Sequence, residues 1–250
     1  MTDEITVTRA ITQKYHQKFL DSVECDIAIV GGGPSGLVAA FLLGKEGFKV
    51  SLFEKKLSLG GGIWGGGMMY NQVVVQEEAT EVLDEFNIDY ENYEGKYYTL
   101  DAIEMVGGLV YHASRNSNVF NLTTVEDVMI KKEKMAGLVL NWTAVEMAEL
   151  HIDPLTISSK AVVDATGHEA SVCNIVAKKT EKFELWGEGY MDAESADKGV
   201  VEKTSEVFPG LYVTGMSVAA FYGLPRMGPI FGGMLLSGKK VAELVAKNLS

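Results

Sequence analysis

Basic residues are in short supply in this chain: 22 Lys and Arg stand against 34 Asp and Glu in 250 residues, a net charge of −12. That balance excludes nonspecific attachment to nucleic acid or to anionic membranes, because attraction to phosphate needs a surplus of cations. Cysteine is scarcer still. Cys25 and Cys173 are too few for a disulfide framework and read as reduced thiols of the core. Long apolar runs are also missing. No stretch approaches the ~20 residues needed to span a bilayer, and the polar, charged segment from Met1 to Lys18 does not read as a secretory signal. The expectation is a cytoplasmic protein.

Apolar residues make up 47% of the chain, enough to bury a substantial core as one large domain or a domain with an insertion. The organising feature lies near the start. An apolar strand, Cys25 to Val30, runs into Gly31-Gly32-Gly33-Pro34-Ser35-Gly36 and then a helical run from Leu37 to Lys45. In this G-x-G-x-x-G pattern Gly31 permits a tight strand-to-helix turn, Gly33 lets backbone amides approach a pyrophosphate, and Gly36 lets the helix pack on the strand. A second strand, Lys49 to Phe53, delivers Glu54 at its carboxyl end, where an acid accepts hydrogen bonds from a ribose diol. A carboxylate there would repel the 2′-phosphate of NADP, so NAD and FAD both remain open. The predicted fold class is α/β: a Rossmann-like dinucleotide-binding fold of the FAD/NAD-binding, glutathione-reductase-like kind.

Directly after Glu54 comes a second cluster, Leu59 to Met69, with six glycines in the eight residues from Gly60 to Gly67. It reads either as a loop moulded against a ligand or as a flexible connection whose Trp64 packs down. Residues 1–20 are expected to form a helical extension that caps the sheet or reaches a neighbouring subunit. Residues 68–160 are expected to form an inserted α+β segment, with helices around Glu77–Phe86 and Ala102–Arg115 and strands at Val119–Leu122, Val125–Ile130 and Ala136–Trp142. Lys131-Lys132-Glu133-Lys134 reads as a solvated hairpin turn. Val106-Gly107-Gly108-Leu109 is expected to break the second of those helices, since glycine pairs are poor helix formers. Strands return at Ala161–Gly167 and Leu211–Met216, and an amphipathic helix closes the chain from Met234.

Ligands in such sheets sit at the carboxyl ends of the strands, which places Glu54, His168 and Met216 in one crevice. Two segments there carry chemistry: His151-Ile152-Asp153-Pro154 and Thr166-Gly167-His168-Glu169. Imidazole and carboxylate with an open position suit a divalent metal such as Fe(II), although such residues can equally be polar groups satisfied locally. A stiff loop from Tyr222 to Gly233 holds Arg226, which reads as a bidentate partner for a carboxylate or phosphate or as a surface arginine beside a turn. Gly232-Gly233, opening the last helix, would also help bind an anion.

Several strings together carry a resemblance: GGGPSG (31–36), FEKK (53–56), LGGGIWGGGMM (59–69), FNLTTVEDVMI (120–130), LVLNWTAVEMAELHIDPLTI (138–157), DATGHEA (164–170) and GLPRMGPIFGGMLLSGKK (223–240). From about Glu24 onward the chain resembles the thiamine thiazole synthase family, most closely its prokaryotic sulfide-dependent branch, also known in archaea as ribose 1,5-bisphosphate isomerase. The resemblance implies that NAD is a substrate. It loses nicotinamide, the ADP-ribose opens and isomerises to a ketone, glycine condenses with it, and sulfur is added to give an adenylated thiazole carboxylate.

It further implies that Ser35, Glu54, Lys55, Gly62, Val125 and Met216 touch the dinucleotide-derived portion. Met227 and Gly228 join them from the RMG string, and Arg226 holds the glycine carboxylate. Asp153 and His168 become Fe(II) ligands from different subunits of a homo-oligomer, an octamer in this family. Eukaryotic members carry a cysteine at the place of His151 and sacrifice its sulfur. A histidine has none to give, so free sulfide is the expected source, with His151 as a proton shuttle. Other readings are a ribose 1,5-bisphosphate isomerase, a storage protein for the thiazole, and an FAD-dependent oxidoreductase. In the last, an acidic residue is usual near Thr214-Gly215, where this chain has Met216.

Overall fold

The computed structural model describes residues 2–250. Helix α1 (Glu4–Ser22) is capped by the Asp3 carboxylate, which accepts from the amides of Ile5 and Thr6. Its second half lays Tyr15 and Phe19 edge-on against Phe120 at 6.0 and 5.8 Å, and Lys18 Nζ donates to the Val119 carbonyl at 2.7 Å. Its first half leaves Ile5, Val7 and Ile11 exposed.

Strand β1 (Glu24–Val30), helix α2 (Pro34–Lys45) and strand β2 (Val50–Phe53) form the expected strand–turn–helix–strand unit. The strands pair in parallel from Ile27 beside Val50 to Val30 beside Phe53. A parallel strand covered on both faces needs a continuous apolar run, and Ile27, Ala28 and Ile29 are all fully buried. Helix α2 is apolar around most of its circumference for the same reason. Leu37, Val38, Ala39, Ala40 and Leu43 are inaccessible to solvent, and burying each of those leucines is worth roughly 2–3 kcal/mol.

Strand β3 (Gln72–Gln76), helix α3 (Thr80–Glu85), strands β4 (Glu91–Glu94) and β5 (Tyr97–Asp101), and helix α4 (Ala102–Asn116) come next. Strands β3, β5 and β4 make a separate antiparallel sheet. Strand β6 (Asn118–Phe120) then rejoins the main sheet beside β2. Strands β7 (Thr123–Lys131) and β8 (Lys134–Trp142) form a hairpin whose tip, Lys132 and Glu133, has positive φ at both residues. The charged run is therefore the turn that the sequence predicts. After α5 (Thr143–Met147) comes the long β9 (Leu155–Asp164), then α6 (Ser171–Thr180), α7 (Ala193–Lys203), β10 (Ser205–Phe208), β11 (Leu211–Val213), α8 (Met216–Tyr222) and α9 (Gly232–Leu249).

The main sheet has eight strands, with the order β10-β11-β9-β1-β2-β6 along its path. The second half of β9 pairs in parallel with β1 and β11, and its first half accepts β8 from the hairpin. Helices α2, α4 and α9 bury one face of the sheet, while α6 and α8 contribute to the core on the other. This is a Rossmann-like α/β arrangement.

The structure redraws three expectations. Residues 68–160 are not one insertion: Gln72–Asp101 holds the separate sheet, whereas β6, β8 and β9 belong to the main one. The helix expected over Glu77–Phe86 divides into a 3-10 turn, Glu77–Ala79, and α3. The Gly107-Gly108 pair does not interrupt α4, which runs unbroken for 15 residues. A Cβ at Gly108 would stand 2.7 Å from Ile88 Cγ1, so the missing side chain lets Ile88 pack against the helix. Burial of Met105, Val106, Leu109 and Ala113 on the same helix outweighs the ~1 kcal/mol that each glycine costs.

Candidate active site

At the carboxyl ends of β1, β2 and β9 lies a cavity of about 1060 Å³. Its floor is the turn between β1 and α2. Gly31 takes φ +103°, and a Cβ there would meet the Ala165 carbonyl oxygen at 2.3 Å, so backbone from the end of β9 occupies the space of a side chain. Gly33 is different: a Cβ on it would touch nothing within 4 Å, and it lines the cavity together with Gly31, Pro34 and Ser35. Helix α2 starts there with no side-chain cap, so its N-terminal end is open to an anion. Gly36 lies beneath the cavity wall, where a Cβ would strike the Gly31 carbonyl at 2.1 Å, consistent with the packing role expected of the third glycine.

Glu54 is buried at the end of β2 and lines the same space. Its Oε2 accepts from the Gly32 amide at 2.7 Å and its Oε1 from the Lys56 amide at 2.8 Å. These bonds fix the carboxylate and leave each oxygen a second lone pair for a ligand hydroxyl. The second glycine cluster folds over the turn. The Gly60 amide donates to the Gly32 carbonyl at 2.7 Å, and Gly61, Gly62 and Gly67 line the cavity. Trp64 does not pack down: it remains half exposed, with Nε1 donating to the Leu59 carbonyl at 2.7 Å. Val125, Met216, Met227 and Gly228 complete this part of the wall. Lys55 also lines it and pairs with Glu169 at 2.6 Å, an interaction that holds the Glu169 carboxyl below the usual carboxylate range.

His168 sits on the 3-10 turn Gly167–Glu169 beyond β9. The turn is shaped by Asp164, a fully buried carboxylate that accepts from the Thr166 and Cys173 amides and from the Thr166 and Ser217 hydroxyls, at 2.7–3.1 Å. His168 Nδ1 lies 2.5 Å from Glu188 Oε1, and Glu188 Oε2 lies 3.5 Å from Arg226 Nε. Arg226 is itself held by its amide, which donates to the Tyr190 carbonyl at 2.8 Å. The cavity thus brings together Glu54, His168 and Met216, as the sequence reading expects, with Lys55 and Arg226; Glu188 does not line it but contacts His168 and Arg226.

His151 and Asp153 do not line this cavity. Both are exposed on the loop between α5 and β9, which Asn141 Nδ2 ties down through the Ile152 carbonyl at 3.2 Å. Among the described residues, no group of three or more His, Cys, Asp or Glu side chains gathers in a way that could hold a metal. The donor chemistry at His168 nonetheless suits one, because an imidazole with Nδ1 on a carboxylate presents a bare Nε2.

The anion site expected at Gly232-Gly233 is already taken. Asp197 Oδ1 accepts from the Gly233 amide at 2.8 Å, and the other carboxylate oxygen pairs with Gln76. Burial raises the Asp197 carboxyl above its ordinary range. Asp197→Ala is expected to cost about 1 kcal/mol of stability, the usual worth of such a cap, read as a lowered urea midpoint.

Both cysteines are buried and unpaired, as expected. Burial pushes the Cys25 thiol up to about 11 and the Cys173 thiol well above its ordinary value. Neither lines the cavity. No helix among the described residues is long and apolar enough to cross a membrane.

The Thi4 family profile matches residues 8–231. Thiamine thiazole synthase from Pyrococcus horikoshii is 54% identical over 250 residues, covering all of this chain and 99% of that protein. The crystal structure of THI4 from Thermovibrio ammonificans superposes with a TM-score of 0.97 at 45% identity, over 99% of this chain and 98% of that one. L-proline dehydrogenase from P. horikoshii, at 12% identity and a TM-score of 0.54 over 90% and 94% of the chains, shares the fold alone. With a family profile spanning most of its length, a relative at 54% identity and a nearly superposable THI4 structure, this chain belongs to the Thi4 family.

Proposed function

We propose that this chain makes the thiazole moiety of thiamine by consuming NAD, glycine and free sulfide with Fe(II), releasing nicotinamide. The observation that carries the reading is the single cavity, which joins a dinucleotide turn and its ribose acid at one side to His168 and Arg226 at another. The amides opening α2 and the backbone at Gly33 meet the pyrophosphate, and Glu54 accepts from the adenosine ribose. Ser35, Lys55, Gly62, Val125, Met216, Met227 and Gly228 enclose the remainder. Arg226 takes the glycine carboxylate through the guanidinium edge that Glu188 leaves free.

His168 and Asp153 are the residues that would hold Fe(II). When bound there, Fe(II) supplies a Lewis acid and a resting place for a soft anion. Because Asp153 lies outside the cavity of its own protomer, its partner His168 belongs to another copy. Exposed Met147, Leu150, Ile152 and Leu155 around Asp153, together with the bare face of α1, support such an assembly, which the family resemblance puts at eight copies. His151 accompanies Asp153 into that shared site, where it moves a proton. Small water-soluble substrates accord with a cytoplasmic location.

The test is an anaerobic incubation with NAD, glycine, sulfide and Fe(II), omitting NAD, glycine or Fe(II) in turn and following products by mass spectrometry. An adenylated thiazole carboxylate formed only in the complete mixture is expected. Intact NAD in every tube would overturn the reading. A second prediction concerns the shared site. Asp153→Ala and His168→Ala should each be inactive alone, yet co-expressed they should recover roughly a quarter of wild-type turnover, because random mixing across a symmetric interface restores one site in four. No recovery in mixed oligomers would place both ligands in one copy.

A further inference from the structure

Glu188 falls in no motif, yet it touches both residues to which the proposed reaction assigns different partners. It lies in the irregular segment before α7, pinned on either side: the Gly187 amide donates to the Ala220 carbonyl at 2.9 Å and the Gly189 amide to the Leu224 carbonyl at 2.8 Å. Its side chain is only 13% exposed, whereas those of His168 and Arg226 are 63% and 58% exposed. The fixed member of the trio is therefore the glutamate.

A carboxylate accepts and does not donate, so the 2.5 Å approach of Oε1 to His168 Nδ1 requires the hydrogen on Nδ1. In a neutral imidazole that leaves the Nε2 lone pair bare. The other oxygen, Oε2, faces Arg226 Nε at 3.5 Å, which engages one side of the guanidinium and leaves its Nη1/Nη2 edge for a bidentate carboxylate. We propose that Glu188 is a positioning residue that sets the His168 tautomer and the Arg226 orientation together, so that one side chain fixes both the metal-facing nitrogen and the carboxylate-facing edge. The identity of the two occupants rests on the proposed function above; the tautomer and the orientation do not.

The decisive measurement needs no turnover. The full-length protein, labelled with 15N at histidine and free of metal, is observed by long-range 1H–15N correlation. It contains four histidines, and His168 is identified by the signals lost in His168→Gln. Wild-type His168 should show the Nδ1–H form, and Glu188→Ala should move it toward Nε2–H, the form a free imidazole prefers. An Nε2–H signal in the wild type would overturn the proposal whether or not thiazole is made.

Chelator competition then reads Fe(II) affinity, which should fall by about 10- to 100-fold in Glu188→Ala, the usual effect of removing the partner of a metal-binding histidine. In the wild-type assembly the same titration works even if no thiazole product is ever found, so failure of the reaction and failure of the proposal are distinguishable. For the Arg226 half, Glu188→Gln keeps an acceptor for His168 but loses the charge facing Arg226. Its KM for glycine should rise about tenfold with kcat changed less, since an interaction lost equally from ground and transition state appears in KM. Fe(II) affinity and glycine KM both unchanged in Glu188→Ala would leave Glu188 with no positioning role.

Discussion

Gly31→Ala should leave the protein about 2–6 kcal/mol less stable, or unfolded, whereas Gly33→Ala should change stability by no more than about 1 kcal/mol and weaken NAD binding instead. The two glycines stand two residues apart in one motif, and the difference is geometric. Gly31 holds φ +103°, where an L side chain costs about 1–3 kcal/mol. Its Cβ would also stand 2.3 Å from the carbonyl oxygen of Ala165. That oxygen cannot retreat, because the Ala165 amide donates to the Val30 carbonyl at 2.8 Å and β9 is paired with β1 along the six register positions from Glu24 to Val30. Overpacking against backbone adds roughly another 1–3 kcal/mol.

Gly33 has φ −76°, open space around its Cβ position, and a place on the cavity wall. A methyl group there projects where phosphate must approach the α2 amides, and about a tenfold loss of NAD affinity is expected. Urea denaturation and calorimetric titration of both variants check the pair. A stable Gly31→Ala would show that the β1–β9 junction yields, and unchanged NAD affinity in Gly33→Ala would remove the turn from the binding site.

The same distinction between local and distant causes accounts for what could be read from the sequence. The β1–α2–β2 unit and Glu54 were legible because strand, turn, helix and acid follow one another within 31 residues, and parallel pairing of β1 with β2 brings Glu54 to the Gly32 amide. The hairpin tip at Lys132 and Glu133 was legible because a run of charge between two apolar strands must stay in water, and a turn keeps it there. The separate sheet was not: β4 reads Glu91-Asn92-Tyr93-Glu94, exposed at every position and without alternation.

Expectations failed wherever a distant group competed with a local preference. Gly107-Gly108 should have broken α4, but Ile88 fills the space beside Gly108. Gly232-Gly233 should have presented bare amides, but Asp197 arrives from 36 residues away and takes one of them. Glu188 had no signal at all. It lies in residues 181–190, which contain neither helix nor strand, and its partners stand 20 residues before it and 38 after, as the sequence numbers 168, 188 and 226 give.

Leaving sulfide out of the anaerobic mixture should abolish product altogether, not limit it to one molecule per chain; with sulfide present, product should exceed protein. A sacrificial mechanism needs a thiol that reaches the sulfur acceptor and ionises. The chain has two cysteines. Cys25 opens β1, at the far end of the strand from the Gly31 turn, and five residues of strand at about 3.3 Å each put it ~17 Å from Val30. Burial pushes its thiol up to about 11, which disfavours the thiolate that a sulfur donor needs. Cys173 is fully buried in α6, with the Asp164 carboxylate beside it adding to the cost of a second negative charge. The double variant Cys25→Ala/Cys173→Ala should therefore still turn over with sulfide. His151→Cys restores a thiol beside Asp153, and one product per chain without sulfide is expected from it if position 151 faces the acceptor. A single product per wild-type chain without sulfide, together with conversion of Cys25 or Cys173 to dehydroalanine, would overturn the free-sulfide reading and make a buried thiol the donor.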